Sequence, residues 1–217
     1  MLKLWKSLSS LLIAPACPLC DRSSPQCFCR DCDRQLRACA FDRPASDWRG
    51  DLPIFAGANT EATLKRAIAQ LKYNAQPQIA QPLGFWLGEA WRKNVQMPTC
   101  AIVPIPLHAD KQKQRGYNQA TLLAESFCQA TRLPLVSDAL WRIRSTEAQF
   151  KLGAIDRAQN LASAFAVNPA FRNRSAGVLL LDDIYTTGAT VRSAASCLQQ
   201  QGIRVRGVIA LSRAAKL

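Results

Sequence analysis

The sequence is poor in histidine and in long apolar runs, and each deficit excludes a class of protein. His108 is the single histidine, and no Ser–His–Asp arrangement that would activate a serine nucleophile can be assembled around it. No stretch approaches the ~18 consecutive apolar residues of a membrane-spanning helix. Internal repeats and low-complexity tracts are also lacking, which excludes a repeat architecture.

Acidic residues are scarce relative to basic ones. The 217 residues include 15 acidic and 28 basic side chains, which gives a net charge of +13. Such an excess favours anionic partners, namely phosphates, nucleic acid or a membrane surface, without selecting among them. With 48% hydrophobic and 20% charged residues, the composition is that of a soluble globular protein. We expect one medium-sized domain, a small appendage and a cytoplasmic location.

Residues 1–17 have two interpretations. Lys3 and Lys6 precede a short apolar stretch from Leu8 to Ala14, which faintly resembles a signal peptide. Ser9 and Ser10 interrupt that stretch, however, and a proline follows it. The spacing of the leucines favours an amphipathic helix with both lysines largely on its polar side.

Cysteines are concentrated near the start of the chain, where six of the nine lie between residues 17 and 39. Four of these six form two Cys-x-x-Cys pairs, Cys17 with Cys20 and Cys29 with Cys32. Two such pairs typically hold a structural zinc ion through four thiolates, with no open position for a substrate. Disulfides are the alternative, although a reducing cytosol disfavours them. Cys27 and Cys39 have no assigned role, and Cys27 could replace Cys29 as a ligand.

The rest of the chain alternates between strand and helix patterns. Residues 1–50 are interpreted as an N-terminal helix and zinc-binding segment, 43–53 as the linker, and 51–217 as one α/β domain. Strands are expected at residues 54–58, 100–105, 177–181 and 204–211, and helices at 60–73, 79–93, 118–131 and 190–201. Thr60 is expected to cap the first helix. This alternation predicts an α/β fold with a mostly parallel sheet flanked by helices.

The segment from Val178 to Thr190 carries the strongest functional signal. A buried strand leads into two adjacent acids, Asp182 and Asp183, and then into a loop of hydroxyl residues and Gly188. The carboxyl ends of parallel strands are where ligands bind, and backbone N–H groups at the start of a helix bind phosphate. Paired carboxylates suit ribose hydroxyls or waters on Mg²⁺. The segment therefore predicts a 5-phosphoribosyl site for phosphoribosyl pyrophosphate and Mg²⁺.

A resemblance to a known family rests on this segment and three others. Residues 182–190 resemble the phosphoribosyl pyrophosphate motif of type I phosphoribosyltransferases. Nearly the whole chain resembles the ComF family, which is linked to DNA uptake in natural competence. The resemblance implies that residues 51–217 form a phosphoribosyltransferase-like domain. The other matching stretches are the two Cys-x-x-Cys pairs, residues 103–119 (Val-Pro-Ile-Pro-Leu through Arg-Gly-Tyr-Asn-Gln), and residues 149–165.

The resemblance implies roles for individual residues, with Asp182 and Asp183 holding the ribose hydroxyls and the metal. The other candidates are Thr186, Thr187, Gly188, Ala189 and Thr190 for the 5′-phosphate, Lys111, Lys113, Arg115 and Gly116 for pyrophosphate, and, more weakly, Lys72, Tyr73, Asn118, Gln149, Arg157 and Asn160. Cations beside a departing pyrophosphate would stabilise its growing charge, although a solvated basic turn is the alternative for that cluster. Purine-salvage members of the superfamily carry an acid at the position of Thr186, so a role in purine salvage is not expected.

Two classes of function stay open. The first is a phosphoribosyltransferase, in which an acceptor of unknown identity displaces pyrophosphate from C1 of the ribose. The second is a non-catalytic module that senses a phosphoribosyl group or a phosphoribosylated nucleotide and binds single-stranded DNA or a competence helicase. No general base is apparent in the sequence, and neither the acceptor nor the oligomeric state can be named from it.

Overall fold

A four-stranded parallel sheet forms the centre of the protein. The computed structural model describes residues 15–97, 99–144, 164–171 and 177–214. The sheet has the order β1–β6–β5–β2, and its strands are β1 (Ile54–Asn59), β2 (Ala101–Pro104), β5 (Val178–Tyr185) and β6 (Val205–Arg213). A separate antiparallel ribbon pairs β3 (Leu140–Arg142) with β4 (Phe165–Val167). The predicted fold class, a mostly parallel sheet flanked by helices, is confirmed.

Helices cover both faces of this sheet. They are α1 (Arg30–Ala38), α2 (Ala62–Tyr73), α3 (Ala80–Asn94, preceded by a 3₁₀ turn at Pro77–Ile79), α4 (Ala109–Arg115), α5 (Gln119–Thr131) and α6 (Ala189–Gln200). Successive residues of a strand face opposite sides, so Leu179 and Leu181 pack with α2, α3 and α5, whereas Val178 and Leu180 pack with α6 and the ribbon. Two apolar layers, one on each face, therefore hold the sheet in place.

The packing of helix α3 against α5 depends on glycine. A Cβ atom built on Gly88 would lie 2.7 Å from the Cβ of Ala130, a distance that packed carbon atoms do not tolerate. Trp91, one turn further along α3, is 4% exposed and meets Phe127 of α5 edge-to-face with 6.1 Å between ring centroids. Small residues thus allow the backbones to approach, and aromatic side chains fill the space beside them.

Three local predictions differ from the structure. Strand β5 continues past residue 181 to Tyr185, because β6 reaches Arg213 and supplies hydrogen-bonding partners opposite the acids. Helix α2 begins at Ala62 after Glu61, and Thr60 does not cap it; its hydroxyl instead lies 3.0 Å from the Ser212 hydroxyl. The basic segment expected to be a loop forms helix α4, none of whose residues is buried.

The cysteine-rich segment is attached to the outer edge of β1. The backbone N–H of Asn59 donates to the Cys39 carbonyl at 2.9 Å, and that of Phe41 donates to the Gly57 carbonyl at 3.0 Å. Residues 43–53, predicted as a linker, also pack on the domain, since Trp48 lies edge-to-face against Trp91 at 5.0 Å. The predicted N-terminal helix falls mainly on residues 1–14, which lie outside the described residues. Within the described ranges, no helix is long and apolar enough to cross a membrane.

Candidate functional site

The two acids lie at the carboxyl end of β5 and differ in their surroundings. The side chain of Asp183 is 4% exposed, and its Oδ1 accepts a hydrogen bond from Lys72 Nζ at 2.8 Å. Its Oδ2 is buried and has no hydrogen-bond partner among the described residues. Asp182 is half-buried, and its Oδ1 accepts from the Asp183 backbone N–H at 2.8 Å. The Oδ2 atom of Asp183 is therefore left for a ligand hydroxyl or a metal-bound water.

The position of Asp182 makes it titrate near neutrality. Burial, together with the negative charge of Asp183, raises the pKa of Asp182 from 3.8 to about 7. The cations Lys72 and Arg142 act in the opposite direction without cancelling this effect. A carboxyl group with such a pKa exchanges a proton at physiological pH, which is the property that general acid–base catalysis requires.

The predicted phosphate loop turns sharply into α6. Gly188 has a φ of 76° and directly precedes the helix, a conformation that favours glycine. The Thr187 hydroxyl accepts from the Ala189 N–H at 3.4 Å, and Arg192 Nη2 donates to the Thr187 carbonyl at 2.5 Å. Thr186 and Thr187 are exposed, whereas Ala189 and Thr190 form the first turn of the helix. Hydroxyls and helix N–H groups thus gather at one point, where an anion is favoured.

A cationic cleft of about 280 Å³ lies beside the acids. Its lining consists of Lys72, Tyr73, Ala75, Lys111, Gln114 and Arg115. The Arg115 guanidinium stands 5.9 Å from the centroid of the Tyr73 ring and also contacts Gln119. The cleft brings together two segments that are distant in the sequence, the end of α2 and helix α4. Three cations around a small open volume suit a diphosphate group.

The remaining predicted residues have different surroundings. Lys113 is exposed on α4 and does not line the cationic cleft, and Gly116 ends the helix with a φ of 84°. Asn118 has its side-chain groups occupied, since its amide donates to the Ile105 carbonyl at 3.0 Å and its Oδ1 caps α5 through Ala120. The candidates Gln149, Arg157 and Asn160 lie outside the described residues.

Two residues near the site were not predicted from the sequence. Arg142, at the end of β3, lies close enough to Asp182 for its charge to lower the pKa of that group. Tyr117 donates its hydroxyl hydrogen to the Leu71 carbonyl at 2.5 Å, which ties the start of α5 to the turn that carries Lys72. Tyr117 belongs to the Arg-Gly-Tyr-Asn-Gln stretch, so its motif was a usable signal. Arg142 had no such signal.

A second candidate site is the cysteine cluster. The sulfur atoms of Cys17, Cys20, Cys29 and Cys32 lie within 4.8 Å of one another, and those of Cys20 and Cys29 are 3.5 Å apart. A tetrahedron with metal–sulfur bonds of about 2.3 Å has sulfur–sulfur edges of about 3.8 Å. The four thiols are therefore placed to bind one metal ion with little movement.

The backbone around these cysteines supports metal binding. The N–H groups of Cys20 and Asp21 donate to the Cys17 carbonyl at 3.3 and 2.9 Å, which forms a tight turn. At the start of α1, a hydrogen bond from the Cys32 backbone to the Cys29 sulfur lowers the pKa of Cys29 to about 7. A thiolate is the form that binds metal.

The two spare cysteines point elsewhere. The Cys27 thiol lies 3.6 Å from the Gln78 carbonyl, and the Cys39 thiol lies 3.3 Å from the Gln35 carbonyl. Burial raises the pKa of both thiols, that of Cys27 to about 11. The cluster of four close thiols therefore contains Cys29 and not Cys27.

Comparisons with known proteins identify relatives of this chain. No protein-family model matches it. It is 37% identical over 117 residues to Competence protein F of Haemophilus influenzae, a match that covers 52% of this chain and only 50% of that protein's length. Competence protein ComFC of Bacillus subtilis is 27% identical over 190 residues, which cover 86% of this chain and 72% of ComFC.

Solved structures similar to this one have low sequence identity. The glutamine phosphoribosylpyrophosphate amidotransferase of B. subtilis has a TM-score of 0.46 at 16% identity, with 66% of this chain and 30% of that chain covered. Adenine phosphoribosyltransferase of Leishmania tarentolae has a TM-score of 0.41 at 14% identity, with 66% and 78% covered.

The sequence relatives settle the family. DNA utilization protein YhgH of Escherichia coli K12 is 31% identical over 155 residues, which cover 69% of this chain and 67% of YhgH. Together with the two competence proteins, this match shows that the chain belongs to the ComF family of competence proteins.

Proposed function

We propose that this ComF-family protein binds phosphoribosyl pyrophosphate together with Mg²⁺ at the carboxyl edge of its parallel sheet. The observation that carries the proposal is the buried carboxylate of Asp183, which pairs with Lys72 through one oxygen and leaves the other without a partner among the described residues. A carboxylate oxygen buried without a partner is costly, and a ribose hydroxyl would supply the missing hydrogen bond. Gly188 and the threonines of the phosphate loop follow on the same strand-to-helix connection.

The acids also suit a magnesium ion. Mg²⁺ prefers carboxylate and phosphate oxygens and keeps several of its waters, and Asp182 and Asp183 would hold such waters. When bound, the ion would neutralise charge on the diphosphate. Lys72, Lys111 and Arg115 would hold the pyrophosphate in the cationic cleft as its negative charge grows. In an enzyme, an acceptor would displace this pyrophosphate from C1 of the ribose.

For the cysteine cluster we propose a structural zinc ion. Four thiolates form a closed coordination shell, which has no position for a substrate. The proposed ion would therefore stabilise the segment from Pro15 to Phe41 and would take no part in the chemistry at β5. We further propose that the protein works in the cytoplasm and assists the uptake or use of DNA, since its relatives are named competence and DNA utilization proteins.

Calorimetric titration with phosphoribosyl pyrophosphate and Mg²⁺ tests the proposal. We expect saturable binding by the wild type and loss of that binding in the double variant Asp182→Ala/Asp183→Ala. The matched control is Asp51→Ala, because Asp51 is an exposed acid outside the site. Absence of binding by the wild type, or equal binding by the double variant, contradicts the proposal.

A second candidate function is that of a non-catalytic module that senses the phosphoribosyl ligand and binds single-stranded DNA or a competence helicase. It is favoured by the exposed basic helix α4 and by the net charge of +13. Affinity for single-stranded DNA that falls steeply with salt, without any acceptor-dependent release of pyrophosphate, would select this candidate. Acceptor-dependent release of pyrophosphate would select the enzyme.

A further inference from the structure

The cationic cleft has two walls that come from different parts of the chain. One wall consists of the last residues of helix α2 and the turn that follows it, residues 72–76, which we call the α2 turn. The other wall is helix α4, which supplies Lys111 and Arg115. Lys72 faces these two cations from the α2 turn. The spacing of the walls therefore decides what size of anion the three cations can hold together.

The α2 turn has an unusual backbone conformation. Helix α2 ends at Tyr73, and two residues later Ala75 has a φ of 50°, in the left-handed region that glycine favours and alanine rarely adopts. Ala75 itself lines the cationic cleft. The chain on either side is anchored, since Leu71 and Ile79 are fully buried. Such a conformation persists only where the surrounding contacts hold it.

A hydrogen bond from Tyr117 joins the two walls. The Leu71 carbonyl lies in the last turn of α2, where carbonyl groups lack partners within the helix, and the Tyr117 hydroxyl donates to it at 2.5 Å. Tyr117 follows Arg115 by two residues, in the connection from α4 to α5, and is half-buried. The Arg115 guanidinium also meets the Tyr73 ring, but Tyr73 is 76% exposed, so water weakens that contact. The buried side of the connection is thus held by the Tyr117 hydroxyl.

Both ends of this connection are attached to fixed parts of the domain. Next to Tyr117, the buried Asn118 donates to the Ile105 carbonyl at 3.0 Å and caps α5 with its Oδ1. On the opposite wall, Lys72 pairs with the buried carboxylate of Asp183 at 2.8 Å. The Tyr117 hydroxyl therefore links the rigid start of α5 to the backbone directly before Lys72.

We propose that Tyr117 is a positioning residue, which sets the spacing of Lys72 and Arg115 for a diphosphate and thereby selects a ribose 5-phosphate that carries a pyrophosphoryl group at C1. This inference rests on the proposed phosphoribosyl site and adds the determinant of its specificity at C1. Without the hydroxyl, the α2 turn loses the contact that opposes relaxation at Ala75, and Lys72 moves relative to the cations of α4. The phosphate loop, on a different strand-to-helix connection, is unaffected.

Calorimetry with two probes in the presence of Mg²⁺ tests the inference. Phosphoribosyl pyrophosphate and ribose 5-phosphate differ by the pyrophosphoryl group at C1, so the ratio of their affinities measures what the cationic cleft contributes. Tyr117→Phe removes the hydroxyl and keeps the ring. We expect this variant to lower the ratio about tenfold, the order of one hydrogen bond, while its affinity for ribose 5-phosphate stays at the wild-type value. A merely structural role would weaken both ligands alike and leave the ratio unchanged.

The matched control is Thr131→Val, which also removes a hydroxyl that donates to a backbone carbonyl, that of Phe127 at 2.9 Å, but at the opposite end of α5. Its affinity ratio should equal that of the wild type. If the wild type binds neither probe, the proposed phosphoribosyl site itself fails. If the wild type binds both probes equally, or if Tyr117→Phe keeps the full ratio or loses both ligands together, the site stands and the positioning role of Tyr117 is wrong.

Discussion

The substitution Asp182→Asn should change how the stability of this protein depends on pH. Asp182 is half-buried beside Asp183, and these surroundings raise its pKa from 3.8 to about 7. In the unfolded chain the same carboxyl ionises near 3.8. Between these two values the folded protein binds the extra proton, so the stabilisation from this group is complete below pH 3.8 and is lost as the pH rises through 7.

The size of the effect follows from the pKa. Between the pKa of the unfolded chain and that of the folded state, each pH unit of acidification raises the unfolding free energy by about 1 kcal/mol for a single group. From pH 6 to pH 8 the folded wild type loses its proton at Asp182, so this group alone should lower the unfolding free energy by about 1 kcal/mol. Asparagine cannot ionise and still offers an oxygen to the Asp183 N–H, so the variant should lack this loss.

Urea denaturation at pH 6 and pH 8 measures the difference, with the cysteines kept reduced and zinc at the same concentration in both proteins. Between pH 6 and pH 8 the unfolding free energy of the wild type should fall by about 1 kcal/mol more than that of Asp182→Asn. Asp51→Asn, which removes an exposed acid, should behave as the wild type does. An identical pH dependence in wild type and Asp182→Asn would refute the reasoning.

Two further pairs of substitutions test the cysteine cluster and the phosphate loop. If the wild type binds one equivalent of zinc as proposed, Cys29→Ala should lose it and have a lower melting temperature, whereas Cys27→Ala should retain the metal. Retention by both variants, or no zinc in the wild type, measured by metal analysis, would contradict the four-thiolate site. Gly188→Ala and Gly202→Ala both place alanine at a positive φ (76° and 73°) and should each lose about 1 kcal/mol of stability in urea denaturation. Only Gly188→Ala should also weaken binding of phosphoribosyl pyrophosphate, because a Cβ there meets the Tyr185 hydroxyl, whereas a Cβ on Gly202 would have open space within 4 Å. Equal calorimetric affinities of the two variants would count against the loop.

Much of the sheet was predictable because buried strands and their flanking helices have strong local patterns. Val178 to Leu181 is a continuous apolar run, and all four residues are fully buried. The end of β5 was placed four residues too early, since acids usually mark the end of a buried strand. Pairing with β6 holds Asp182 through Tyr185 in the sheet, and that pairing depends on residues about thirty positions away.

Three features of the site could not be predicted, namely the pairing of Lys72 with Asp183, the place of Arg142, and helix α4. Lys72 and Asp183 are separated by 111 positions, and spacing in the sequence does not indicate which of many lysines meets a given acid. Arg142 ends a strand of three residues, which is too short to give a periodic pattern. Helix α4 has no buried residue, so it lacks the apolar face by which an amphipathic helix is found.

The cysteine segment and the site are joined through helix α2, which limits what the proposed metal can affect. Near the start of α2, the Thr63 hydroxyl donates to the Gln35 side chain of α1 at 3.2 Å. Lys72 lies nine residues further along the same helix, about 14 Å away at 1.5 Å per residue. Its end of the helix is fixed by the fully buried Leu71, whose carbonyl also accepts the Tyr117 hydrogen bond. Because the Tyr117 contact fixes this end independently, the proposed metal would support the outer edge of β1 and the start of α2, while the sheet core holds Lys72 against Asp183.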